Sequence, residues 1–82
     1  MRLPRDLSGR DLAQALKAFG YNVSRQTGSH IRLTTQQGGG EHHVTIPAHN
    51  PMRVGTLAAI LSDVAEHFEI SREQVAQQLF GK

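Results

Sequence analysis

The run Gly28-Ser29-His30 holds the residue types best suited to chemistry in this chain. A glycine turn lets backbone approach a phosphate closely, and turn amides can form an anion-binding nest. The serine hydroxyl adds a donor. A histidine one step on can take a proton from a ribose 2′-hydroxyl or give one to a leaving oxygen. RNA carries that hydroxyl and DNA does not. Three residues recur by chance, so a hairpin turn ending in a solvent-facing histidine is the plain alternative.

The other candidates are weaker. Five histidines in 82 residues invite a metal reading, with His42, His43 and His49 as ligands. Zinc needs three or four ligands converging tetrahedrally. Neighbouring strand residues point to opposite faces, so His42 and His43 should not share one ion. With no cysteine and no paired carboxylate, neither a metal nor another cofactor is expected. Arg25, Arg32, Arg53 and Lys17 suit phosphate contacts, with ordinary solubilising charge as the alternative. Gly38-Gly39-Gly40 lacks the Lys-Ser/Thr of a phosphate-binding loop and precedes a strand rather than a helix. It reads as a flexible hairpin loop. His67 and Phe68 read as surface and core. No serine or cysteine nucleophile elbow is present.

Several elements must position these residues. Ser8 with Asp11 has the capping-box spacing. Leu12, Leu16 and Phe19 recur on one helical face, and Gly20 stands where a left-handed residue ends a helix. The first helix is expected over Ser8 to Phe19. Tyr21 to Arg25 and His30 to Thr35 alternate around Gln26-Thr27-Gly28-Ser29, where Gly28 is able to take positive φ, so they form a hairpin. Gln36 to Gly40 is a loop, and Glu41 to Ile46 is a third strand stopped by Pro47. Thr56 caps or begins a second helix that runs on through about His67. Ser71 with Gln74 repeats the capping-box spacing and starts a short last helix, with Val75 and Leu79 on one side. The fold class is α+β, in the order α-β-β-β-α plus a C-terminal helix, with a three-stranded antiparallel sheet and helices on one face. Strand alternation places Val23, Ile31, Leu33, Val44 and Ile46 on the buried side. Asn22, Ser24, His30, Arg32, Thr34, His43 and Thr45 then share the open side.

Composition sets outer bounds. The length suits one domain, residues 1–82. Net charge is +2 with neutral histidines, which permits an anionic partner without demanding one. No apolar run approaches the roughly 20 residues of a membrane span, so no membrane partner is expected. The start, Met1 to Asp6, has no apolar stretch of the kind a signal peptide needs. Absence of cysteine fits a reducing, cytoplasmic setting.

Together the pieces resemble the HicA toxin family. The residues that carry this are Gly20-Tyr21, Arg25-Gln26-Thr27-Gly28-Ser29-His30, Val44-Thr45-Ile46-Pro47-Ala48-His49, Gly55-Thr56-Leu57 with Ile60-Leu61, and Ile70-Ser71-Arg72-Glu73. They span roughly Ser8 to Leu79. The resemblance implies a small toxin of a type II toxin–antitoxin system with a double-stranded-RNA-binding-domain-like fold. It implies a translation-independent mRNA interferase whose catalytic histidine, here His30, lies in the Gly-Ser-His motif. It also implies a HicB-type antitoxin that masks this histidine. Gly28 and Ser29 match the rest of the motif, and Arg25 and Arg32 are the neighbouring cations assigned to substrate. His49 matches a histidine that often follows the third strand. The Gln36 to Gly40 loop and the segment Ser62 to Glu69 look longer than in compact members. A non-catalytic RNA-binding module on the same fold stays open as the alternative.

Overall fold

Ser8 starts the first helix as its type predicts. In the computed structural model, which describes residues 3–81, the Asp11 N–H donates to Ser8 Oγ at 3.0 Å. The Ser8 N–H donates back to Asp11 Oδ2 at 3.2 Å. This reciprocal pair satisfies two amides that a helix start leaves orphaned. The helix α1, Gly9–Ala15, tightens into a 3-10 turn over Leu16–Phe19 and ends at Gly20 with φ +80°. That left-handed value suits a residue without Cβ. The strands β1 (Asn22–Gln26), β2 (His30–Thr35) and β3 (His42–Pro47) form an antiparallel sheet in the order β1-β2-β3. Helices α2 (Val54–Phe68) and α3 (Arg72–Phe80) follow. This is the α+β arrangement and element order that the sequence predicts.

Burial separates the two faces of the sheet. Ile31, Leu33, Val44 and Ile46 are buried with Leu12, Leu16, Leu57, Leu61, Val64 and Val75 in one apolar core. Each such side chain contributes roughly 1.5–3 kcal/mol by leaving water. The alternating partners His30, Arg32, His43 and Thr45 are exposed. Ser71 caps α3 with the second reciprocal box, through Gln74.

The structure corrects four expectations. Val23 pairs with Leu33 and so shares its face, but it is 49% exposed. It lies on an edge strand, beyond full cover by the helices. Thr56 neither caps nor begins α2. The Leu57 N–H already donates to the Arg53 carbonyl, which closes the first turn from Val54. The Gln36 to Gly40 loop is docked rather than free. His67 Nε2–H donates to the Gln37 carbonyl at 2.8 Å, and Gly38 lies so close to Phe68 that a Cβ there would meet its ring. Gly28 does not use positive φ, unlike Gly20, Gly38, Gly39 and Gly40.

Candidate functional site

His30 is the first residue of β2 and is exposed. Its backbone is held tightly. The Thr27 N–H donates to its carbonyl at 3.0 Å, and the Ala48 N–H donates to the preceding Ser29 carbonyl at 2.9 Å. Ser29 Oγ lies 3.0 Å from His30 Nδ1. The ring is therefore oriented by its neighbour, with Nε2 left without a protein partner among the described residues. Beyond its own chain neighbours, no atom lies within 4 Å of the place a Gly28 Cβ would take, so the turn offers open backbone near the ring. Pro47 is the cross-strand partner of His30. His49, two residues further, is exposed, and its carbonyl accepts from the Gly9 N–H at 2.9 Å. Sequence reasoning missed Gly9. A Cβ there would collide with the Pro47 carbonyl oxygen, so a side chain would push α1 off the end of β3 next to the site.

Arg25 and Arg32 come together on the open face through an irregularity. Strict alternation from Val23 would send Arg25 to the helical side. The register shifts between Val23 and Arg25, so that Arg25 pairs with Arg32 and Ser24 is the extra residue. Such a bulge re-aims the side chains that follow it. Two like charges directly opposed across a strand pair repel. Among the described residues neither guanidinium forms an ion pair with a carboxylate. An anion lying between them removes that repulsion.

His43 shares the open face with His30 but does not join it. It pairs with Thr34, four residues along β2 from His30, or about 13 Å at the usual strand rise. Its Nδ1 is 2.7 Å from Thr34 Oγ1 and its Nε2 is 2.8 Å from Glu41 Oε2. The hydrogen bonds from Gln36 and from His43, with the charge of His43, hold the Glu41 carboxyl below its usual range. Lys17 belongs to the helical layer and Arg53 to the N-cap of α2, so neither is part of the paired-arginine patch.

His42 points the other way, as a strand neighbour must, and the two rings cannot share an ion. The Tyr21 hydroxyl donates to His42 Nδ1 at 2.7 Å, and His42 Nε2–H donates to Asp63 Oδ1 at 3.2 Å. His67 stacks on His42 with centroids 4.4 Å apart. Burial, with the nearby Asp63 carboxylate, pushes the Tyr21 hydroxyl up to about 12, so it stays a donor. Tyr21, Asp63 and His67 were not singled out as a group from the sequence. Asp63 and His67 stand four residues apart on α2, but Tyr21 lies more than 40 residues before them, so no local spacing joins the three.

These features define a small α+β protein whose sheet offers one open cationic face with an exposed histidine at its turn. The chain belongs to the HicA toxin family: the family described as HicA toxin of bacterial toxin-antitoxin matches residues 9–65, more than half of its length. That span contains Arg25, Gly28, Ser29, His30 and Arg32, and leaves α3 outside. No curated protein and no solved structure matches the chain. Among the described residues no helix is long and apolar enough to cross a membrane.

Proposed function

We propose that this toxin is a metal-independent endoribonuclease that cleaves mRNA in the cytoplasm, with His30 as its acid–base residue. One domain of all 82 residues carries the activity. The observation that supports it most is the exposed His30 ring held by Ser29 beside an open glycine turn. With Nδ1–H donating to Ser29 Oγ, the Nε2 lone pair faces outward as a base. Ser29 keeps its own hydrogen for a phosphate oxygen. His30 Nε2 takes the 2′-hydroxyl proton, the 2′-oxygen attacks phosphorus, and the bond to the 5′-oxygen breaks. The proton held on Nε2 then goes to the leaving 5′-oxygen. Attack from within the RNA needs no metal. Gly28 lets the phosphate approach, and Arg25 and Arg32 offset its charge. A HicB-type antitoxin that covers His30 silences the reaction.

Acid–base help of this kind contributes about 10²–10⁴-fold. His30→Ala is therefore expected to lose cleavage of an mRNA and growth arrest by at least about 100-fold, while folding and RNA affinity persist. Excess chelator leaves the wild-type rate unchanged. A variant that still cuts, or still arrests growth, removes His30 as catalyst. A chain that binds RNA but never cuts it is the non-catalytic module instead.

A further inference from the structure

A hydrogen-bonded row crosses all three strands on the open face, away from His30. It begins at Glu41, whose Oε1 accepts from Gln36 Nε2 at 3.1 Å and whose Oε2 faces His43 Nε2 at 2.8 Å. His43 Nδ1 meets Thr34 Oγ1 at 2.7 Å, and Thr34 Oγ1 donates to Ser24 Oγ at 2.8 Å. Ser24 Oγ donates to the Arg32 carbonyl at 3.3 Å. Each hydroxyl has one hydrogen. With those two spent toward Ser24 and Arg32, Thr34 presents a lone pair to Nδ1–H of His43. From His43 onward the row is therefore directional, each group donating to the next until the Arg32 carbonyl of β2 accepts.

Its far end is the bulge. Ser24 is the inserted residue, and the bulge is what brings Arg25 opposite Arg32. We infer that His43 is a positioning residue: through Thr34 and Ser24 it holds the bulge that sets Arg25 beside Arg32 as a two-guanidinium seat for one RNA phosphate. This rests on the proposed action on RNA. Arg32 stands two residues along β2 from His30, about 7 Å by strand rise, so the phosphate it holds neighbours the one at the turn. The arrangement sets Arg25 of the edge strand β1 directly opposite Arg32 of the central strand β2, with no carboxylate at ion-pair distance from either among the described residues. Like charges directly opposite destabilise a strand pair, and the row ties the Ser24 side chain at the bulge to Thr34 and to the Arg32 carbonyl.

The test is binding of a single-stranded RNA oligonucleotide against salt concentration, with His30→Ala as the background so that the RNA stays intact. Each phosphate contact on a single strand contributes about 0.7 to the slope of log affinity against log salt. Arg25→Gln is expected to lower the slope by about that amount. Thr34→Val, which removes no charge, is expected to lower it equally. Adding Arg25→Gln to Thr34→Val then takes away nothing more, because coupled sites are not additive. His43→Ala follows Thr34→Val, and Thr34→Ser, which keeps the hydroxyl, restores the parent slope. Thermal melting confirms that each variant is folded. If Thr34→Ala, the smaller truncation, and Thr34→Val both leave the slope unchanged, or if the double variant loses twice as much, the inference is overturned. If Arg25→Gln itself changes nothing, it is overturned as well. Cleavage by the wild type, and its loss in His30→Ala, reports separately on the proposed reaction.

Discussion

At His30 the protein fixes the backbone and leaves the ring tip free. The Thr27 and Ala48 amides clamp the turn, and Ser29 aims the imidazole. Gly28 has a different part from the one its type first suggests. Its φ is not left-handed and a Cβ would meet nothing, so the fold does not need glycine there. Gly28→Ala should therefore leave stability within about 0.5 kcal/mol, or raise it by about 0.4–1 kcal/mol through a less flexible unfolded chain. RNA cleavage should fall, because the methyl group fills the space where a phosphate approaches the backbone. Melting temperature and cleavage rate measured on one preparation check both halves. Normal cleavage by this variant would remove the turn as a phosphate cradle.

At the level of elements, short-range signals carry the helices and longer-range ones carry the sheet. Both capping boxes are present as their spacing predicts. The helix α3 has nine residues and buries Val75 and Ala76, so it depends on its cap more than α2 does. Ser71→Ala is expected to cost about 1 kcal/mol. A urea midpoint that falls at constant slope is the signature. An unchanged midpoint would mean that α3 is held by its packing alone. The strand β1 shows the opposite case. Its apolar alternation was legible at Val23, but the bulge at Ser24 was not. The partners of the Ser24 hydroxyl, the Arg32 carbonyl and the Thr34 hydroxyl, lie on another strand, eight and ten residues away.

The whole molecule adds a polar cluster that no single segment contains. Tyr21, from the start of the sheet, reaches His42 on β3 and through it Asp63 on α2. Its hydroxyl has an ordinary value of 10.0 and is pushed up to about 12 in the fold. The folded state thus retains a proton that the unfolded chain releases. Stability from this site is fully present below pH 10. It is lost as pH rises toward about 12, by an amount on the order of 3 kcal/mol. Tyr21→Phe should flatten that fall between pH 10 and 12 in denaturant melts. At neutral pH it should cost about 1 kcal/mol, because His42 Nδ1 loses its donor. A variant with the same alkaline fall as wild type would place the titration elsewhere.

Features encoded within a few residues are legible in the amino-acid order alone. Ser8 with Asp11 and Ser71 with Gln74 start helices because the bonds close over three residues. The alternation of Ile31, Leu33, Val44 and Ile46 sets the faces because strand side chains repeat every second residue. Those periods place His30 and Arg32 on the open side. The packed fold was needed to show where Arg25 points, how far His43 stands from His30, and that the glycine loop docks on His67 and Phe68. It also decided that Gly9 must lie against Pro47. Each of these depends on residues that meet across 7 to 38 positions of chain. No local period encodes such a meeting. It follows from which strands pair, in what register, and which edge the helices leave uncovered.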